Sequence, residues 1–167
     1  MDTVVLGWDL ERGTRWVPPY EHALAAISSS TTITTPWAIA VGPAPSSGTQ
    51  VHLMLQGSVR GLVGRGVVRS APFRAADATR PGTLARHILI EWGHLLPIDD
   101  RIAVAELAAR VPETPWAELY AAVHPLSEAD AARLDRVWAS PHPSAGAGRS
   151  RMRRPAGTGS GRALSPG

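Results

Sequence analysis

What most limits the fold of this chain is the point at which its core-forming residues stop. After Ala139 the sequence turns to proline, glycine, serine, alanine and arginine with almost no large apolar side chain. Burial there cannot offset the entropy of ordering the backbone. Residues 140–167 are therefore expected to form a disordered tail. Residues 1–139 are left to build one α/β domain, long enough to enclose its own core.

The charge divides at the same boundary. Residues 1–139 hold 12 arginines against 14 acids, whereas the tail carries Arg149, Arg151, Arg153, Arg154 and Arg162 with no acid. The sequence pI of about 10.5 thus describes the tail and not the domain. A nucleic-acid case for the domain must rest on a local site. Every basic residue is arginine, which excludes Schiff-base and P-loop lysines. The absence of cysteine excludes thiol nucleophiles, disulfides and thiolate metal sites, so no cofactor of those kinds is expected. Asp2, Asp9 and Glu11 flank only Val4, Val5 and Leu6, which is no signal peptide, and no run approaches the roughly 18 apolar residues of a membrane span. A soluble, cytoplasmic protein without a membrane partner is the expectation.

Pattern predicts five strands and three or four helices, arranged as a small curved sheet or partly closed barrel. The strands fall at residues 3–6, 37–41, 50–56, 61–73 and 86–96. Gly64 and Gly66 share a face of the fourth strand and leave it open to close approach, by a ligand or by packed backbone. A helix is expected over residues 20–28, where Tyr20, Leu24 and Ile27 repeat at i, i+4 and i+7. Others are expected at 104–110, from Thr114-Pro115-Trp116, and from Ser127 to about Ala139, where Ser127 stands three residues before a carboxylate at Asp130.

Catalytic signatures are scarce. His22, His52, His87, His94 and His124 are dispersed and form no metal-binding set. No Gly-x-Ser-x-Gly elbow occurs, and Asp99-Asp100 reads as a turn after Pro97. The tryptophans divide into two groups. Trp92, Trp116 and Trp138 lie in apolar contexts and are expected in the core, whereas Trp8, Trp16 and Trp37 sit near strand ends. Trp8, beside Gly7 and Asp9, and Trp37, after a Ser/Thr run, either join the core, which composition alone slightly favours, or form a stacking slot for a planar ligand.

In order and spacing, Val5-Leu6-Gly7-Trp8-Asp9, Trp37-Ala38-Ile39-Ala40-Val41-Gly42, Leu53-Met54-Leu55-Gln56-Gly57 and Arg60-Gly61-Leu62-Val63-Gly64-Arg65-Gly66 resemble the EVE-like domains of the PUA superfamily, as found ahead of HNH restriction endonucleases. The likeness continues through Ser70-Ala71-Pro72-Phe73, Glu91-Trp92 and Leu96-Pro97-Ile98-Asp99-Asp100-Arg101 to Trp138. It implies a small twisted β-barrel, and a non-enzymatic reader that flips a modified cytosine of DNA into an aromatic pocket. On this resemblance Trp8, Asp9, Trp37, Gln56, Gly57 and Phe73 would line the pocket, with Arg60, Arg65, Arg149, Arg151, Arg153 and Arg154 on phosphates. RNA, a free nucleotide, or a protein-interaction role without base readout are the alternatives. Two departures stand out. The family's Gly-Trp-Asn-Pro is Gly7-Trp8-Asp9-Leu10 here, and no nuclease follows Ala139, so cleavage would need a separate subunit.

Overall fold

A computed structural model describes residues 2–11, 16–29, 32–39, 42–77, 80–120 and 122–140 of the chain. The apolar opening run forms β1 (Thr3–Asp9), which continues through Gly7 and Trp8 beyond the expected end at Leu6. β3 (Gln50–Gln56) holds it there, pairing with it in parallel from Thr3↔Gln50 to Asp9↔Gln56. α1 (Tyr20–Ser28) starts behind Pro19 as its apolar spacing predicts.

β2 (Ile33–Ile39) begins in the Ser/Thr run before Trp37, since Ile33, Thr34 and Thr35 are β-branched. The expected continuation to Ala40 and Val41 lies outside the described residues. Pro36 is tolerated because β2 is an edge strand, bonded only to β6 (Leu84–Leu95) among the described residues. The single long strand expected over 61–73 is instead β4 (Gly61–Val68) and β5 (Phe73–Ala76). Pro72, which has no N–H, ends ladder bonding between them, and the Ser70 hydroxyl accepts from the Leu89 amide at 2.9 Å. β4 and β5 occupy successive stretches of one edge of β6.

β7 (Ile102–Ala103), α2 (Val104–Arg110), β8 (Val123–Pro125) and α3 (Glu128–Ala139) complete the described elements. The helix expected from Thr114 is only a 3-10 turn at Trp116–Glu118. α3 is capped as predicted, with the Asp130 amide donating to Ser127 Oγ at 3.1 Å. The eight strands among the described residues exceed the predicted five because β5, β7 and β8 are too short to show a period.

The sheet order is β2-β6-β4-β3-β1-β8, with β5 on β6 and β7 on β4, curved into a half-barrel. Strand alternation gives it two cores. The inner face buries Val4, Leu6, Trp8, Leu53, Leu55, Ile88, Ile90 and Trp92 under α1, and the outer face buries Val5, Met54, Leu62, Leu107, Trp116, Leu134 and Val137 under α2 and α3. Gly64 and Gly66 serve this packing. A Cβ on Gly66 would stand 2.6 Å from the Glu91 carbonyl and 3.0 Å from the Trp92 ring, so the bare strip admits β6 and not a ligand. Among the described residues no helix is long and apolar enough to cross a membrane.

Candidate nucleic-acid interface

The inner face collects aromatic rings at one end. Alternation along β1 points Trp8 inward after Val4 and Leu6, and along β2 it aligns Thr35, Trp37 and Ile39. Trp16 lies between Trp8 and Trp37, with centroids at 5.7 and 5.9 Å, and contacts Tyr20 at 5.0 Å and Trp92 at 5.3 Å. Trp8, Trp16 and Trp37 are 7%, 9% and 4% exposed, so the open slot expected between Trp8 and Trp37 is filled by a third indole. The polar edges of this cluster are unequally satisfied. Trp92 Nε1 donates to Thr35 Oγ1 at 2.8 Å, and the Tyr20 hydroxyl donates to the Leu96 carbonyl at 2.7 Å. Burial pushes the Tyr20 phenol well above its ordinary value, so it stays protonated. Trp16 Nε1 is buried with no acceptor among the described residues.

The other expected pocket residues are dispersed. Asp9 and Gln56 are register partners, but alternation turns both to the outer face, away from Trp8 and Leu55. Gln56 Nε2 donates to the Leu119 carbonyl at 3.4 Å, and Asp9 Oδ1 accepts from the Glu11 amide at 2.8 Å. Gly57 is exposed in the following turn with φ +99°. Phe73 stands on β5, stacked over His87 at 6.0 Å and 37% exposed.

The expected phosphate ligands Arg60 and Arg65 are committed within the fold. The Arg60 guanidinium donates to the carbonyls of Ala117, Trp116 and Leu119, clamping the 3-10 turn, and lies 4.4 Å over the Tyr120 ring. Its fork matches clustered carbonyls better than solvent would. Arg65 is paired with Asp135 at 2.6 Å. Arg149, Arg151, Arg153 and Arg154 lie outside the described residues.

A basic groove lies beside the aromatic end. A hollow of about 580 Å³ is lined by Ile39, Phe73, Arg74, Arg80, Leu84 and Arg86. Among the described residues Asp77 is the one acid lining it, paired with Arg80 at 3.2 Å. Arg86 donates to the Gly42 carbonyl. An apolar hollow of about 250 Å³, walled by Pro43, Pro45, Val123 and Pro125, shares Ile39 and Gly42 with the groove.

No protein-family model matches the sequence, and no curated protein matches it significantly. Solved structures do. A variant of the ASCH protein from Zymomonas mobilis is 12% identical, with 82% of this chain and 99% of that one covered at a TM-score of 0.50. The unsubstituted ASCH protein is 13% identical over 81% and 94% of the two chains, with a TM-score of 0.49. Human THYN1, solved in complex with 5-methylcytosine containing DNA, is 12% identical over 83% and 96%, with a TM-score of 0.44. The fold is PUA-like.

Within this PUA-like frame the residues not foreseen are Arg74, Arg80 and Arg86. A local charge count would have found them, since residues 69–86 hold four arginines and one acid within a domain whose acids are in excess. The outer face holds a different polar pair. His52 is fully buried on β3, its Nδ1 accepts from Trp138 Nε1 at 3.0 Å, and its Nε2 is buried without a partner among the described residues. Burial, reinforced by Arg65, pushes its pKa down to about 3, so the ring is neutral at pH 7. Among the described residues no group of three His, Asp or Glu side chains is placed to hold a metal.

Proposed function

We propose that the protein is a non-enzymatic nucleic-acid-binding module of the EVE-like kind, which reads a modified cytosine in DNA by taking the flipped base into the aromatic end of its half-barrel. The observation that carries this reading is the buried Trp16 Nε1 without an acceptor among the described residues, set among Trp8, Trp37, Trp92 and Tyr20. An unmet buried donor costs about 1–3 kcal/mol. A pyrimidine edge offers ring-nitrogen and carbonyl acceptors that would satisfy it.

The balance is feasible. Extruding a base costs a few kcal/mol, and each stacked base returns about 1–3 kcal/mol, so one ring contact roughly offsets extrusion and the indole bond adds the surplus. Because Trp16 fills the space between Trp8 and Trp37, admission requires its indole to shift aside. A buried methyl contributes about 0.8 kcal/mol, close to fourfold in affinity, so strong discrimination calls for a polar mark such as hydroxymethyl. Arg149, Arg151, Arg153 and Arg154 of the tail add sequence-independent attraction to phosphates. The proposal extends to a nuclease partner that cuts the marked DNA, as in modification-dependent restriction.

Fluorescence anisotropy with matched duplexes carrying plain, methylated and hydroxymethylated cytosine tests the reading. Preference for one modified duplex, abolished by Trp16→Phe, is the expected result. Equal, purely salt-dependent binding to all three would reject it, and tighter binding of matched RNA or free nucleosides would reassign the ligand.

A further inference from the structure

We infer that the groove bordered by Arg74, Arg80 and Arg86 binds the sugar-phosphate backbone next to the base that the aromatic end receives, which rests on the base-reading proposal for its ligand. Among the described residues three guanidinium groups face one carboxylate there, although the domain as a whole has more acids than arginines. Arg74 is exposed and forms no ion pair or hydrogen bond among the described residues, and the Arg80 side chain is 78% exposed even in its pair with Asp77. Both are available to a phosphate, which a guanidinium grips with two N–H groups at once.

Position supports the assignment more strongly than charge. Ile39 and Arg86 are register partners, and the next inward-facing pair is Trp37 with Ile88. Two residues along paired strands amount to about 7 Å, so the groove begins one step beyond the aromatic cluster on the same face of the sheet. A base held against Trp37 therefore carries its own backbone toward Arg86. Leu84, 63% exposed, gives the groove an apolar border suited to deoxyribose or a neighbouring base. Arg86, anchored on the Gly42 carbonyl, is placed before any ligand arrives.

The test uses the full chain carrying Arg74→Glu and Arg80→Glu together, with the same three duplexes over a salt series. The expected result is a Kd raised by the same factor for all three, about tenfold or more, a salt slope smaller by about 1 for each phosphate no longer neutralised, and an unchanged preference among marks. An unchanged Kd and slope overturns the inference, and so does loss of the preference with plain-duplex binding intact. If wild type shows no preference yet the double variant still weakens every duplex, base reading fails and the groove stands. Absence of DNA binding by wild type overturns both. Should thermal melting show that charge reversal unfolds the protein, Arg74→Gln with Arg80→Gln gives the same comparison.

Discussion

The two faces of the one sheet are packed by different rules. The outer core is mainly aliphatic, built from Val5, Met54, Leu62, Ile102, Leu107, Val111, Leu134 and Val137, and its central indole is satisfied, Trp116 Nε1 donating to the Val111 carbonyl at 2.8 Å. At one end of the inner core four indoles and a phenol are linked by neighbouring ring contacts of 4.9–6.1 Å, one of them with an unmet donor among the described residues. The outer face has its own unpartnered nitrogen among the described residues, His52 Nε2, so what sets the inner end apart is that its unmet donor stands among the rings of Trp8, Tyr20, Trp37 and Trp92. On the proposed function, the contrast separates a face that fastens helices from one that receives a planar, acceptor-bearing guest.

That contrast can be broken most severely on the outer face. Trp116→Ala should cost about 3–5 kcal/mol of unfolding free energy, measured by urea denaturation, because it empties a closed site and frees the Val111 carbonyl. Trp16→Phe keeps most of the apolar area and removes an unsatisfied donor, so its melting temperature should stay within a few degrees of wild type while base preference is lost.

Acid sharpens the same comparison. His52 has a folded pKa of about 3 against 6.5 for the free side chain, so the unfolded chain binds a proton that the native protein refuses. Its contribution is fully present above pH 6.5, falls as pH drops toward 3, and amounts to about 3 kcal/mol lost by pH 4. Urea denaturation at pH 7 and pH 4 should show this slope in wild type and a shallower one in His52→Leu, whatever that variant's absolute stability.

Smaller effects follow for the arginines. Arg60→Lys keeps the charge but loses the fork on three carbonyls, and should lower stability by about 1–2 kcal/mol while leaving the salt slope of DNA binding unchanged. A reduced slope would return Arg60 to the phosphate role expected from the sequence. Arg65→Ala breaks a half-exposed pair with Asp135 and should cost no more than about 1 kcal/mol by the same measurement.

Elements with a full period were legible in the sequence. α1 and α2 fall where their patterns place them, and Ser127 caps α3 as its hydroxyl and spacing predict. β5, β7 and β8 were not, because two to four residues carry no periodicity and form only where a partner strand presents its edge. The placement of Asp9 turned on a single strand end. Ending the first strand at Gly7-Trp8 left Asp9 beside Trp8 at the strand end, but pairing with β3 through Gln56 keeps Asp9 in the pleat and turns it away from Trp8. Arg74, Arg80 and Arg86 were obscured by averaging charge over the whole domain, and Arg74 and Arg86 meet only through the β5–β6 register.

On the proposed function the Trp16 indole donates to a bound base. The chain has six tryptophans, and in a proton–nitrogen correlation spectrum Trp16→Phe identifies the Trp16 indole signal by its disappearance. This signal should shift on saturation with a duplex carrying the preferred modified cytosine and stay in place with the matched plain duplex. An unmoved Trp16 signal at saturation with the modified duplex would contradict it.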